Sequence, residues 1–369
     1  MLEYIFIAFV VIFSIQLCFY LLVFGKFSFL KKNPTKDSNK FPISIIICAK
    51  NEAPNLKHLL PILENQNYPN FEIVLINDCS TDDTYEVIEN FKATSKIPTK
   101  IVNVKANEQF WASKKYAITL GIKAASYEHM LFSDADCSPA SSNWATKMSQ
   151  NYSTSKQLIL GYGKYKKHKK SLLNKLIRFE TLITAIQYFS YSKIGLPYMG
   201  VGRNIAYTKT LFFNNNGFVN HMKIKSGDAD LFVNEVANNK NTAICFSENS
   251  FTISEPKKTY KDWIQQKRRH ISTAILYQKK HKFLLGLFYI SQLLFYTLSI
   301  LLLSFQYKWA IITLLITLRF FILYFVIGFS AKKLKEFDLV AFAPFYEIFL
   351  IFIQMLIFIK NLISKPTHW

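Results

Sequence analysis

An apolar run from Leu2 to Phe24, broken only by Glu3 near its start, opens the chain. Three more come near the other end: Leu284 to Ser304, Ala310 to Ser330 and Val340 to Ile359. A helix rises about 1.5 Å per residue, so each run is about long enough to cross a hydrocarbon core of roughly 30 Å. The first run has no basic leader and no small-residue cleavage site, and Lys26, Lys31 and Lys32 follow it. It therefore reads as an uncleaved membrane helix and not as a secretory signal. Lysine marks the cytosolic side of a span. The turn Phe305 to Trp309 carries one Lys, whereas Ala331 to Leu339 carries Lys332, Lys333 and Lys335. Both ends of the chain then agree that the block between them lies in the cytosol, beside a plasma (inner) membrane. Pro344 and Glu347 interrupt the last run, and Lys360 and Lys365 follow it, so a re-entrant course stays open there beside a full span.

Two charges inside these runs need partners. Arg319 lies near the middle of the third run, where an unpaired charge is costly. Counting about 1.5 Å per residue puts Arg319 roughly 14 Å and Glu347 roughly 12 Å in, from opposite sides. The two are expected to face each other as an ion pair.

Between the runs, the chain alternates strand-like and helix-like segments. Ile43 to Cys48 and Phe71 to Asn77 are β-branched runs of strand length, followed by helical patterns at Leu56 to Asn65 and Thr84 to Phe91. A third strand (Lys100 to Val104), a helix (Ser113 to Ala125) and a fourth strand (His129 to Ser133) continue the pattern. This alternation predicts an α/β fold with a mostly parallel sheet, helices on both faces and ligands beyond the C-terminal strand ends. With 369 residues, half of them hydrophobic, the chain can hold one sizeable core besides its membrane segments.

Those strand ends are polar. Lys50-Asn51-Glu52 follows the first strand, Asn77-Asp78-Cys79-Ser80-Thr81-Asp82 the second, and Asp134-Ala135-Asp136 the fourth. Asp82 fits a helix cap. Asp134-Ala135-Asp136 sets two carboxylates two residues apart at one strand end. Carboxylate oxygens suit Mg²⁺ or Mn²⁺, which often complete their shell with substrate phosphates.

With these motifs the stretch Pro42 to His270 resembles the family 2 glycosyltransferases, which have the GT-A (Rossmann-like) fold. Within them it resembles the membrane-bound branch of cellulose, chitin, hyaluronan and poly-N-acetylglucosamine synthases. Asn51-Glu52, Asp78-Cys79-Ser80-Thr81-Asp82 and Asp134-Ala135-Asp136 match three of the family's motifs in order. The resemblance implies that Asn51, Glu52 and Asp78 hold the nucleotide of a nucleotide-sugar, usually a uridine. It implies that Asp134 and Asp136 serve the diphosphate and a divalent metal, with Asp136 as metal ligand. Lys114 matches a lysine that approaches the phosphates, with Ser113 in place of the family's Gly. Ser226-Gly227-Asp228-Ala229-Asp230-Leu231 resembles the family's Thr-Glu-Asp-x-Asp-Leu, which implies Asp228 as catalytic base and Gly227 in place of Glu. Gln266-Lys267-Arg268-Arg269-His270 resembles Gln-x-x-Arg-Trp, with His270 in place of a Trp that walls the acceptor sugar. Asp230, Gln266, Arg269 and His270 are accordingly implied as acceptor or diphosphate contacts. The His puts processive polymer extension in doubt.

The implied activity is inverting, metal-dependent transfer of a sugar to a membrane lipid or lipid-linked acceptor by a hexosyltransferase. Processive synthesis and export of a β-linked polysaccharide is one alternative, and a small membrane transporter with a basic cytosolic domain is another. Net charge is +21. Lys164 to Lys170 holds five lysines and leads into a segment, Ser171 to Tyr191, that reads as an amphipathic interfacial helix. Leu172, Leu176, Phe179, Ile183 and Ile186 would lie opposite Asn174, Arg178, Thr181 and Gln187. With a second basic stretch, Lys257 to Lys282, this accounts for much of the charge by an anionic membrane surface and without nucleic acid. Five scattered cysteines show neither a disulfide framework nor a zinc spacing. The domains expected are a membrane helix over 1–25, a catalytic domain over 41–272 with its interfacial helix at 171–191, and membrane helices over 284–360.

Overall fold

The computed structural model describes residues 1–31, 41–105, 114–224 and 226–364. Lys32, Ser113 and Lys365, used above, lie outside the described residues. The chain divides into two compact units, Asn33–Lys169 with Pro197–Lys257, and Met1–Lys32 with Lys170–Leu196 and Lys258–Trp369. Residues 170–196 and 258–272 group with the apolar helices and not with the sheet.

Among the described residues the sheet unit has ten strands: β1 Ile43–Ala49, β2 Phe71–Asp78, β3 Thr99–Val104, β4 His129–Asp134, β5 Cys137–Pro139, β6 Leu158–Leu160, β7 Gly163–Tyr165, β8 Ile205–Thr208, β9 Thr242–Ile244 and β10 Thr252–Ser254. Seven of them form one sheet in the order β3-β2-β1-β4-β8-β6-β9. β3, β2, β1 and β4 run parallel, and β8 is antiparallel to both of its neighbours. β1 and β2 are apolar nearly throughout because both their faces are covered. On one face Ile43, Ile45, Ile47, Ile73 and Leu75 pack with Leu56, Leu59, Leu60 and Leu63 of the helix Ala53–Glu64. On the other, the helix Lys114–Ala124 lies so close that a Cβ on Gly121 would stand 2.2 Å from Ile76. A second sheet, β5-β10-β7, is tied in through buried Asn204. Its amide accepts from Trp144 Nε1 at 3.0 Å and donates to the carbonyls of Tyr162 and Ser250 at 2.9 and 2.7 Å.

Among the described residues the helical unit holds four helices long and apolar enough to cross a membrane: Leu2–Ser28, Lys279–Ser304, Trp309–Leu334 and Phe337–Ile363. The first contains a π-helical stretch, Cys18–Phe24. Pro344 falls in the first turn of the helix Ala343–Ile363, where its missing N–H costs nothing, so it starts the last helix instead of interrupting it.

Arg319 and Glu347 do meet. The guanidinium grips the carboxylate at two points, Nη1 to Oε2 and Nη2 to Oε1, each 2.6 Å. Tyr20, Gln292 and Tyr296 donate to the same carboxylate at 2.7, 2.6 and 2.6 Å, and Gln16 accepts from Arg319 at 3.1 Å. All four long helices contribute to this buried cluster.

The helix Leu172–Lys193 corrects one expectation. Asn174, Arg178 and Thr181, read from sequence as an outward polar face, are buried. Arg178 binds Glu336 and Asp338, with Nε 2.8 Å from Glu336 and Nη2 2.7 Å from Asp338. Its polar face is therefore an internal, charge-paired seam of the helical unit.

Candidate active site

Parallel strands deliver their loops to one edge, and here two of those loops are sewn together. Asn51 and Cys79, just beyond β1 and at the end of β2, both take left-handed backbone angles, φ 56° and 53°. Such angles turn each chain sharply off the sheet. The Asn51 side-chain oxygen accepts from the Thr81 N–H at 2.8 Å, and the Asn51 N–H donates to Ser80 Oγ at 3.0 Å. Asp82 accepts from the N–H groups of both Ala53 and Thr84, at 3.3 and 3.1 Å, at the starts of two helices. The capping role read for Asp82 thus serves both.

Asp78 is buried and its Oδ1 has no hydrogen-bond partner among the described residues. Burial pushes its carboxyl up, against the pull of Lys50 and Lys114. Such an oxygen is free to accept from a bound ligand. Glu52 accepts from Asn55 at 2.5 Å, and burial, with Asp136 and Asp134 nearby, raises its carboxyl too.

At the end of β4 the donor atoms of Asp134, Asp136 and Cys137 lie within 4.8 Å of one another. The Cys137 thiol donates to Asp136 Oδ1 at 3.2 Å, and burial and the two carboxylates hold it well above its ordinary range. The sulfur is therefore a protonated neighbour, and the two carboxylates form an oxygen donor set, which fits a hard divalent cation.

Lys114 joins this group to a distant part of the chain. Its ammonium lies 2.6 Å from Asp134 Oδ1 and 3.4 Å from Asp228 Oδ2. A cavity beside it is lined by Ile46, Cys48, Phe132, Tyr207 and Phe218. Asp228 reaches this position from Gly227, whose φ of +87° is open to glycine and strained for other residues. A Cβ there would also strike Leu231 at 2.5 Å, a local reason for Gly at this place. Burial raises the Asp228 carboxyl, but Lys114 outweighs it, so the group is held below the usual carboxylate range. Asp230 opens the helix Asp230–Val236 two residues on.

The sheet unit thus brings Asn51, Glu52, Asp78, Lys114, Asp134, Asp136, Asp228 and Asp230 to its strand-end loops and the turns beside them. Gln266, Arg269 and His270 belong to the helical unit, on the helix Tyr260–Ala274. That helix is fixed within its own unit: Arg268 donates to Asn361 Oδ1 at 2.9 Å, and Lys267 pairs with Glu180 at 2.5 Å. Sequence reasoning missed Lys115. It is buried and donates to the carbonyls of His221 and Ile224 at 2.7 and 2.9 Å. Its signal was slight, a second lysine at the start of a helix whose other inward positions are apolar.

Residues 44–213 match the family model for glycosyl transferase family 2. Among curated relatives, the poly-β-1,6-N-acetyl-D-glucosamine synthase of Staphylococcus epidermidis is 36% identical over 94 residues, 26% of this chain and 21% of the relative. The 4,4'-diaponeurosporenoate glycosyltransferase of Staphylococcus aureus is 32% identical over 106 residues, 28% of this chain and 26% of the relative. The chain therefore spans only about a fifth to a quarter of these relatives. Among solved structures, a mannosyltransferase of Pyrobaculum calidifontis in complex with GDP-mannose and Mn²⁺ superposes with a TM-score of 0.60 at 17% identity. The match covers 94% of this chain and 99% of that one, a likeness of fold.

Proposed function

We propose that this chain, whose residues 44–213 match the family model for glycosyl transferase family 2, moves a sugar from a nucleotide-sugar, a UDP-sugar by preference, onto a lipid or lipid-linked acceptor at the membrane. The observation that carries this reading is the Lys114 ammonium set between Asp134 and Asp228. It joins the residues suited to the donor's diphosphate with a carboxylate suited to the acceptor. The family match removes the transporter reading.

In this reading the bare Asp78 oxygen accepts an N–H from the nucleobase, and the sewn loops of Asn51 and Glu52 form the wall behind it. Asp136, with Asp134, would hold a divalent cation, Mg²⁺ or Mn²⁺, which when bound supplies positive charge to the diphosphate. Lys114 supplies a further charge at the same place, as fixed charges do where a transition state becomes more negative. The acceptor hydroxyl attacks the anomeric carbon, the bond from that carbon to the diphosphate oxygen breaks with its electron pair, and the hydroxyl proton passes to Asp228. This is the single-displacement geometry of an inverting enzyme, with a hydroxyl in place of water. Asp230, Gln266, Arg269 and His270 are assigned to the acceptor or the departing diphosphate.

The four apolar helices are read as spans, with the sheet unit on the cytosolic side of the plasma membrane, following the lysines of Ala331 to Leu339. The exposed lysines ahead of Leu172 support contact with anionic headgroups.

Incubating the detergent-solubilised protein with radiolabelled UDP-sugars and a total lipid extract, followed by mass spectrometry, tests the proposal. One added sugar on a lipid is the expected product. A ladder of lengths would replace single transfer with processive synthesis.

A further inference from the structure

Lys115 has no part in the chemistry above, yet it occupies a costly position. It is 1% exposed, and an ammonium in such a place is expensive unless its hydrogens are matched. Burial lowers it to about 8, with Asp228 and Asp230 pulling the other way. Among the described residues it donates to backbone, the carbonyls of His221 and Ile224. Those carbonyls belong to the segment that leads into Asp228, four residues beyond Ile224.

Glu235, on the helix Asp230–Val236, grips the same segment from another element. Its carboxylate accepts from the Asn220 side-chain amide and lies 3.7 Å from His221 Nε2. Burial and the Lys115 ammonium push the His221 imidazole down to about 4, so it is neutral at physiological pH. The segment is thus held by hydrogen bonds from two helices. One of these helices also carries Lys114. Successive residues of a helix point about 100° apart, so one side chain reaches the Asp134–Asp228 pair while the next lies under the segment that leads to Asp228.

We propose that Lys115 is a positioning residue: it fixes residues 219–224, and through them the carboxylate of Asp228, relative to the helix end that bears Lys114. The proposal rests on the reading of Asp228 as base. It makes the acceptor side of the reaction, and not donor binding, depend on Lys115. A displacement of about 1 Å in a reacting group can cost on the order of a hundredfold in rate.

The test compares wild type, Asp228→Asn, Lys115→Met and Glu235→Gln as full chains in detergent, with a radiolabelled UDP-sugar and lipid extract. Wild-type transfer and its loss in Asp228→Asn come first, and failure of either overturns the functional reading and this inference with it. Given both, Lys115→Met should lower kcat by about ten- to a hundredfold while KM for the UDP-sugar stays within about twofold. A plain structural filler would not separate the two constants. Size-exclusion chromatography reports whether Lys115→Met folds. Where it does not, Glu235→Gln decides, since it loosens the same segment from the partly exposed side and should show the same split more weakly. Unchanged kcat in the folded variants, or a donor KM that rises in step with the loss, would overturn the proposal.

Discussion

At Asp228 two influences oppose each other: burial raises the carboxyl, and the Lys114 ammonium lowers it by more. A base must be ionised to accept a proton, so transfer should persist on the acid side to well below neutrality. Removing the ammonium raises the Asp228 carboxyl, so in Lys114→Met the pH at which the remaining kcat falls by half should move upward, read from a pH–rate profile. Asp228→Asn should lower kcat by about 10²–10⁴-fold with little change in UDP-sugar binding, the usual weight of a lost general base. Asp136→Asn keeps shape and removes charge, and should lower transfer by about a thousandfold, checked by turnover with and without added Mg²⁺ or Mn²⁺. These residues were legible in sequence because each sits in a short motif, Asp136 just after β4, Lys114 at the start of a helix and Asp228 just before the helix Asp230–Val236. Lys115 was not, since its partners are backbone carbonyls of a distant segment and no pattern of side chains records them.

Elements were legible in proportion to their length and to how plainly one solvent covers them. β1 and β2 lie between two layers of helix and read as largely apolar runs rich in β-branched residues, so their ends were found to within a residue. β5 to β10 are three or four residues long and leave no period to read. The helix Leu172–Lys193 has apolar and polar faces, and sequence could not tell a polar face turned to water from one closed over Glu336 and Asp338. In the helical unit the pairing of Arg319 with Glu347 was readable, because a charge deep in an apolar run has few ways to be tolerated. Arg319→Leu leaves Glu347 buried beside Tyr20, Gln292 and Tyr296 without its cation, and should cost about 3–5 kcal/mol in stability. Thermal unfolding in detergent reads this, and the double variant Arg319→Leu/Glu347→Leu should recover much of the loss.

For the whole molecule, the two units divide the proposed work. The sheet unit carries the donor residues and the base, and the helical unit carries the four apolar helices together with Gln266, Arg269 and His270. The central proposal is transfer through the Asp134–Lys114–Asp228 constellation of the sheet unit. The most direct measurement is label transfer from a panel of radiolabelled nucleotide-sugars to lipid by the purified full chain, beside Asp228→Asn, with donor binding measured on both. The account expects transfer by the wild type, its near-complete loss in Asp228→Asn, and equal donor binding by the two. Equal transfer by the two proteins, or binding of a nucleotide-sugar with no transfer by the wild type, would contradict it.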